Sequence, residues 1–229
     1  MKYTNQYPAI FISRPNRFIA TVDIEGTIET VHVKNTGRCR ELLIPGVKVM
    51  LEKSNNPDRK TKYDLVMVYK ENLGWVNIDS QMPNALVREW LESEPEEFSG
   101  LTLIKPEYTY GDSRVDFYLE RGDEKILIEV KGVTLEIDGI GYFPDAPTER
   151  GVKHIRELIK AKREGYEAYI AFVIQMNGIK EVRANMNTHR EFGVALEEAQ
   201  KAGVKVLMLE CNVSENEIKI HCGGTVHEN

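Results

Sequence analysis

The sequence has few cysteines, no long apolar run and no excess of positive charge, and each of these features excludes a class of protein. The three cysteines, Cys39, Cys211 and Cys222, lie far apart and form no CxxC pair, so neither a disulfide framework nor a structural zinc site is indicated. No segment is long and apolar enough for a membrane span. The segment Met1 to Ile12 lacks the basic region and apolar core of a signal peptide. We therefore expect a cytoplasmic protein that does not bind membranes.

Three potential metal ligands, His221, Cys222 and His227, gather near the C-terminus. Side chains of these types bind zinc when the fold brings them together. A chain end is usually poorly ordered, however, and we interpret this stretch as a frayed tail rather than a metal site.

The charge of the chain is unevenly divided. The overall net charge of −6 argues against a simple basic nucleic-acid binder. Residues 1–80 carry 12 Lys/Arg against 9 Asp/Glu, whereas residues 81–229 carry 18 against 27. This asymmetry predicts two parts with different tasks, the first suited to contact phosphate and the second to hold a cation. A chain of 229 residues is long enough for both.

Short β-segments separated by turns make up the first 80 residues. They are rich in Val, Ile, Thr and aromatic residues, and turn signals such as Glu25-Gly26 and Pro45-Gly46 fall between them. Five or six short strands in this length fit a small barrel such as an OB-fold, although a small sandwich would give nearly the same pattern. The predicted strands cover residues 17–24, 27–33, 48–53, 63–70 and 75–78.

The second part of the chain has a different pattern. A predicted helix and an acidic connector come first, then several strands, and then alternating helices and strands. This order favours an α/β domain with a mixed sheet flanked by helices. The predicted helices cover residues 85–91, 149–164 and 190–202, the connector covers 92–97, and the strands cover 103–108, 115–119, 125–130, 166–174, 204–209 and 218–220.

The sharpest constellation of reactive side chains is Asp116 followed by Glu129-Val130-Lys131. Glu129 and Lys131 share one face of their strand because strand side chains alternate, and a hairpin between the two strands would place Asp116 beside Glu129. Two such carboxylates can hold Mg²⁺ or Mn²⁺, and a nearby lysine can orient the attacking water or neutralise charge on phosphate. This is the logic of Asp…Glu-x-Lys phosphodiesterases. An exposed, charged hairpin face is the alternative.

The predicted helix over residues 149–164 follows this motif. Thr148 is its expected N-cap. The polar faces of the helix carry Glu149, Arg150, Lys153 and His154, which either reach the carboxylate site or are ordinary solvated charges.

Several segments resemble the sugar fermentation stimulation protein A (SfsA) family over nearly the whole chain. The most specific is the run from Gly141 to Gly151, and residues 15–18, 35–38, 108–111, 113–117 and 128–135 are also similar. The resemblance implies an OB-fold-like β-barrel over residues 1–80, a restriction-endonuclease-like domain of the PD-(D/E)xK type over residues 81–229, and DNA binding. Val115 stands where the broader nuclease pattern has a proline before the aspartate.

The resemblance also implies roles for individual residues. Asp116 and Glu129 match the metal carboxylates, and Lys131 matches the catalytic lysine. The candidate supporting residues are Glu107, Arg114, Glu149, Lys153 and His154, of which the two glutamates are weaker candidates for a third carboxylate.

The N-terminal half supplies the expected phosphate contacts. Arginine suits bidentate contact with phosphate, and OB-folds bind oligonucleotides on a barrel face and in their loops. Aromatic residues such as Phe18, Tyr63 and Trp75 would stack on bases if exposed, although Phe18 and Trp75 are expected in the core. The candidate DNA-binding residues are Arg14, Arg17, Arg38, Arg40, Arg59, Lys60 and Lys62.

Three functions are compatible with these observations. The first is a DNA-binding protein with a metal-dependent nuclease site and without strict sequence specificity. The second is a non-enzymatic DNA-binding regulator of sugar (maltose-type) utilisation genes on a nuclease-like scaffold, and the third is a role in RNA processing. No helix-turn-helix motif stands out, which disfavours a sequence-specific repressor. A homodimer is compatible with the sequence.

Overall fold

The structure is a computed structural model that describes residues 1–35 and 37–221 together with the backbone of residues 225–227. A barrel is followed by a mixed sheet with helices on both faces. No helix in the described part of the chain is long and apolar enough to cross a membrane. Of the three C-terminal candidate ligands His221, Cys222 and His227, Cys222 and the side chain of His227 lie outside the described residues.

The first half of the chain closes into a five-stranded barrel. Its strands are β1 (Gln6–Ser13), β2 (Ile19–Ile24), β3 (Thr27–Val33), β4 (Lys48–Lys53) and β5 (Tyr63–Lys70), and β6 (Gly74–Asn77) extends β5 as a hairpin. Strand β1 pairs antiparallel with both β2 and β4, and a parallel pairing of β3 with β5 closes the ring. This closure confirms the predicted OB-fold barrel and excludes the sandwich.

Strand β1 joins β2 to β4 in the barrel, although the sequence pattern predicted no strand there. Pro8 lacks an amide hydrogen, and proline disfavours a central strand. In the structure Pro8 lies opposite Met50 of β4, whereas the pairing of β1 with β2 begins only at Ile10. The proline therefore lies in the half of β1 that has a single neighbouring strand.

The elements of the second half are α1 (Met82–Glu92), a 3-10 turn (Glu96–Phe98), β7 (Leu103–Tyr110), β8 (Ser113–Arg121), β9 (Glu124–Val133), β10 (Leu135–Ile137), β11 (Ile140–Phe143), α2 (Glu149–Arg163), β12 (Glu167–Ile174), β13 (Val182–Ala184), α3 (Arg190–Lys201), β14 (Lys205–Val213), β15 (Ile218–Ile220) and β16 (Thr225–His227).

The second half contains a large mixed sheet with the order β15-β14-β12-β9-β8-β7, in which β16 also pairs with β14. Strands β7, β8 and β9 form an antiparallel meander, while β9, β12 and β14 run parallel, which confirms the predicted mixed sheet. Strands β10, β11 and β13 form a small separate sheet that the sequence did not predict.

Both faces of the central strand β9 are buried, which explains its apolar run. Ile128 belongs to the hydrophobic cluster on the side of α1, and Leu127 belongs to the cluster on the side of α2. Helix α1 begins at Met82, earlier than predicted, because Pro83 is tolerated in a first helical turn. Glu129, two residues after Leu127, therefore faces α2.

A buried polar network joins the barrel to the second sheet. Gln175 Nε2 donates hydrogen bonds to Asn77 Oδ1 at 2.9 Å and to the Asp79 carbonyl at 3.2 Å. Asn77 Nδ2 donates to the Tyr3 hydroxyl at 2.8 Å, and Lys34 Nζ lies 2.8 Å from Asp79 Oδ2. Because buried polar groups require well-directed partners, this network fixes the orientation of the two halves.

The barrel also contains a buried carboxylate with charged partners. Asp64 is 6% exposed and accepts hydrogen bonds from Arg59 Nη1 at 2.8 Å and Nη2 at 2.7 Å, and it lies 2.7 Å from His32 Nδ1. Burial alone raises the pKa of Asp64. The hydrogen bonds and positive charges of Arg59 and His32 outweigh burial and hold this pKa below its usual range.

Replacing Asp64 by asparagine should lower the free energy of unfolding by about 1–3 kcal/mol at pH 7, because a charge-assisted buried network is lost. A lowered pKa means that the stabilisation is present above the unfolded pKa of about 4 and is lost as the pH falls through the folded value. Urea denaturation of both proteins between pH 7 and pH 2 should show the difference shrinking on acidification. The exposed Asp58→Asn variant is the control, and equal stability of wild type and Asp64→Asn at pH 7 would contradict the assignment.

Candidate metal and nucleic-acid site

The β8–β9 hairpin brings the three residues of the sharpest sequence motif together. Asp116 precedes and Glu129 follows the antiparallel pair Phe117↔Ile128, so the two carboxylates sit side by side at one end of the hairpin. Lys131 Nζ donates a hydrogen bond to Glu129 Oε1 at 2.5 Å, as expected for residues on the same face of a strand.

Both oxygens of Asp116 accept hydrogen bonds. The backbone amide of Val130 donates to Oδ2 at 2.7 Å, and Asn84 Nδ2 in the first turns of α1 donates to Oδ1 at 2.8 Å. The carboxylate is therefore held in one orientation by the neighbouring strand and by a helix from the opposite face of the sheet.

Glu129 is the most deeply buried acid of the site, with 1% of its surface exposed. His154 Nδ1 on α2 also bonds Oε1, and Arg150 Nε donates to His154 Nε2 at 3.3 Å. This second contact assigns the ring proton to Nδ1, where it is donated to Glu129. Oε2 of Glu129 is buried and has no hydrogen-bond partner among the described residues.

The pKa values of the two carboxyl groups move in opposite directions. Burial, reinforced by the neighbouring charge of Glu129, raises the pKa of Asp116. Burial also acts to raise the pKa of Glu129, but the hydrogen bond from His154 and the charge of Lys131 hold it below the usual range. Glu129 therefore stays ionised, and a cation bound between the two groups would favour the ionised form of Asp116.

The donor set of the site fits a divalent metal ion. A buried carboxylate oxygen without a hydrogen-bond donor is costly, and such oxygens in native structures are often explained by an ion or ordered water. Mg²⁺ and Mn²⁺ prefer carboxylate oxygens and retain several waters, so one or two acids suffice for their binding. Glu129 Oε2 with the adjacent Asp116 meets this requirement.

The proposed third carboxylates have largely exposed side chains with charged partners of their own. Glu107 has a largely exposed side chain that pairs with Arg114 at 3.6 Å. Glu149 is 83% exposed in its side chain and pairs with His189 Nε2 at 3.4 Å. Glu149, His189 and Glu191 present ligand atoms that lie within 4.8 Å of one another. This second cluster stands at the first turns of two helices, where the helix dipoles disfavour a cation.

Helices supply partners that the sequence did not identify or identified only as alternatives. His154 reaches the site, whereas Lys153 Nζ bonds the Asp112 carbonyl at 3.1 Å. Asn84 was missed altogether, because its helix was expected to begin only after it. The proline at the preceding position, which is typical of a first helical turn, is the signal that would have placed Asn84 on the helix.

The predicted basic residues divide into structural and exposed groups. Arg14 donates hydrogen bonds to the backbone carbonyls of Arg38 at 2.8 Å, Arg17 at 2.7 Å and Asn35 at 2.6 Å, so it orders the loops around it. Arg17, Arg38 and Arg40 are exposed. With Arg14 they line a cleft of about 820 Å³ between the barrel and the segment that leads into α2.

The second predicted basic group, in the loop before β5, is largely neutralised. Arg59 is bound to Asp64, and Lys62 Nζ lies 3.6 Å from Glu29 Oε1. Lys60 is exposed. The cationic surface of the barrel is therefore concentrated in the cleft rather than in this loop.

The expectation that Phe18 belongs to the core is wrong. Its side chain is 50% exposed, and the guanidinium carbon of Arg17 lies 5.7 Å from the ring centroid. Asn16 Oδ1 accepts a hydrogen bond from the Phe18 amide at 2.8 Å, which fixes the turn that displays the ring. Trp75 is half-buried and meets Tyr69 edge-on at 5.5 Å, so Phe18 is the better-placed ring for contact with a base.

A closed OB barrel joined to a mixed-sheet, restriction-endonuclease-like domain defines a class of two-domain proteins with a nuclease-like fold. Residues 12–78 match the family model described as the SfsA N-terminal OB domain, and residues 81–217 match that of the sugar fermentation stimulation protein RE domain. The chain belongs to the sugar fermentation stimulation protein (SfsA) family, as the resemblance of its motifs predicted.

Relatives and a solved structure cover the chain almost completely. The sugar fermentation stimulation protein homolog of Desulfitobacterium hafniense (strain DSM 10664 / DCB-2) is 57% identical over 219 residues, which is 96% of this chain and 95% of the relative. The homolog of Ruminiclostridium cellulolyticum is 56% identical over 220 residues, 96% of each chain. The structure of Pyrococcus furiosus SfsA in complex with Ca²⁺ superposes with a TM-score of 0.86 at 30% identity, covering 98% of this chain and 96% of that one.

Proposed function

We propose that the chain is a metal-dependent phosphodiesterase that binds and cleaves DNA without strict sequence specificity. The observation that carries this proposal is the buried Glu129 oxygen without a hydrogen-bond donor, next to a second carboxylate and a lysine. In this proposal residues 1–80 form the DNA-binding domain, and residues 81–229 carry Asp116, Glu129 and Lys131 as the catalytic residues.

Asp116 and Glu129 are the proposed metal ligands. Pyrococcus furiosus SfsA has been solved with Ca²⁺, and Ca²⁺ shares with Mg²⁺ its preference for carboxylate oxygens. A bound Mg²⁺ or Mn²⁺ would polarise a phosphate oxygen and lower the pKa of a bound water.

The protein residues have separable tasks. Lys131 carries a positive charge at the edge of the site, where it can orient the attacking water or neutralise charge that develops on phosphate. His154 donates its Nδ1 proton to Glu129 Oε1 and so fixes the direction of Oε2. Asn84 and the Val130 amide hold Asp116 in the same way. Such supporting hydrogen bonds tune metal sites strongly.

The arginine cleft is the proposed path of the DNA backbone. Arg17, Arg38 and Arg40 present exposed guanidinium groups that match phosphate in geometry and charge. Phe18 beside them offers a face on which a base can stack. RNA carries the same phosphates and bases, so a competition between DNA and RNA oligonucleotides of one sequence decides between them.

The proposal is tested by incubating the purified protein with linear, nicked and single-stranded DNA in Mg²⁺, Mn²⁺ or EDTA. We expect cleavage in Mg²⁺ or Mn²⁺ and none in EDTA, because the carboxylate pair needs a cation to act on phosphate. We also expect binding in EDTA to weaken steeply with added salt, as contacts to phosphate require. Cleavage that persists in EDTA would show that the reaction does not depend on a metal ion.

A second function, DNA binding without cleavage, is favoured by one specific observation. Both oxygens of Asp116 and one oxygen of Glu129 already accept hydrogen bonds, so most of the site is satisfied by the protein alone. Binding without cleavage under every metal condition would select this regulator-like role on a nuclease-like scaffold.

A further inference from the structure

A second pocket, of about 400 Å³, continues from the arginine cleft. The two share Arg17, Gly37, Ala146 and Pro147, so the cleft and the pocket form one path. This volume lies at the small end of the range of about 300–1,000 Å³ for ligand pockets. The path thus narrows from a cleft along the barrel to a space for a single small group.

The inner end of the pocket lies between β9 and the start of α1. Gly132, which follows Lys131, and Pro83, which precedes Asn84, both line it. A Cβ atom at Gly132 would lie 2.4 Å from Gln175 Oε1 and 2.8 Å from Pro83 Cγ. The pocket therefore reaches this depth only because residue 132 is a glycine.

A buried hydrogen-bond acceptor stands at this inner end. The side chain of Gln175 is 2% exposed, and its Nε2 atom is fully used in the junction network. Its Oε1 atom lies beside Gly132 in the lining of the pocket. Asp145 adds a carboxylate to the same wall. Both side chains offer oxygen acceptors to which a ligand in the pocket can donate hydrogen bonds.

The pocket is complementary to a nucleotide. Acceptors lie inside, apolar surfaces of Phe143 and Pro147 form part of the walls, and the cation Arg17 stands where pocket and cleft meet. We propose that the pocket takes one unpaired nucleotide of the substrate, with an amino-bearing base directed at Gln175 and its phosphate at Arg17. A base pair is too large for this space, whereas an unstacked base read through its edge is a known mode of recognition.

This inference rests on the proposed function only in that the chain must bind nucleic acid. The substrate that it specifies is a strand with unpaired nucleotides. Adenine, cytosine and guanine carry exocyclic amino groups and thymine does not. The pocket should therefore favour single-stranded DNA over duplex, and oligo-dA or oligo-dC over oligo-dT.

The test is fluorescence anisotropy of labelled oligo-dA, oligo-dC, oligo-dT and a blunt duplex with the full chain in EDTA. We expect oligo-dA and oligo-dC to bind about tenfold more tightly than the duplex, in line with the contribution of one well-placed base. Ala146→Leu, which fills the pocket from a partly exposed loop, should remove this difference with an unchanged melting temperature. Asp145→Asn, which adds an amide donor, should improve oligo-dT relative to oligo-dA, while the exposed Asp138→Asn serves as control.

Equal binding of duplex and single strand by the wild type, or an undiminished preference in Ala146→Leu, would overturn the inference. Metal-dependent cleavage together with equal binding of duplex and single strand would support the proposed nuclease function and contradict only the nucleotide-binding role of the pocket. A single-strand preference lost in Ala146→Leu, without cleavage in any metal, would support the pocket and reject the nuclease.

Discussion

Replacing Glu129 by glutamine should lower metal-dependent DNA cleavage by at least about 100-fold, the scale of losing a charged group at a reacting phosphate. The substitution keeps the shape of the side chain but removes the negative charge that a divalent cation requires. The hydrogen bonds of Lys131 and His154 to Oε1 can persist, because an amide oxygen also accepts. The fold should therefore be retained, with the free energy of unfolding lowered by about 1–3 kcal/mol, as for Asp64→Asn, because the charge-assisted contacts to Lys131 and His154 are weakened.

This result is measured as the initial cleavage rate in Mg²⁺ and Mn²⁺, together with calorimetric titration of Ca²⁺. Both cleavage and cation affinity should fall in Glu129→Gln. The matched control is Glu124→Gln on the same strand, where the carboxylate pairs with Arg121 at the surface and should be neutral for activity. Retained cleavage in Glu129→Gln would place the reaction elsewhere in the molecule.

Replacing Lys131 by methionine should separate catalysis from metal binding. Methionine preserves the apolar stem of the side chain but removes the charge and the donor that contact Glu129 Oε1. We expect cleavage to fall by about 10²–10⁴-fold, the usual contribution of a positioned proton-transfer group. Cation affinity should be retained, because removal of the nearby positive charge leaves the Glu129 carboxylate more available to a metal.

Ca²⁺ titration should therefore distinguish the two variants, because Ca²⁺ affinity should fall in Glu129→Gln and be retained in Lys131→Met. If the Lys131→Met variant loses cation binding as well as cleavage, the lysine maintains the structure of the site and does not act on the substrate. Full cleavage by Lys131→Met would exclude a catalytic role. Lys125→Met, at the other end of β9, is the control for loss of a lysine from this strand.

Much of the site was predictable because it is local in sequence. Alternation along a strand places Glu129 and Lys131 on one face, and a short turn forces the preceding strand to bring Asp116 beside them. The start of α2 was predictable for the same reason, since Thr148 Oγ1 accepts from the Gly151 amide at 3.0 Å within one helical turn.

Other contacts of the site join residues far apart in sequence. His154 meets Glu129 across the space between a helix and a sheet, and Asn84 meets Asp116 from the other face. Helical periodicity assigned His154 only to a polar face, because it does not show what lies opposite that face. The same limit explains why Arg59 was expected to contact DNA although it is bound to Asp64.

The sequence by itself determined the two-part architecture, the mixed sheet, the carboxylate hairpin and the family, because these depend on periodicity, turn chemistry and short specific motifs. Tertiary structure alone decided which charges are free and which are paired, that Phe18 is exposed, and that Gln175 and Gly132 share one pocket. The physical reason is that burial and pairing are properties of two surfaces brought together. A pattern within one segment describes only one of those surfaces.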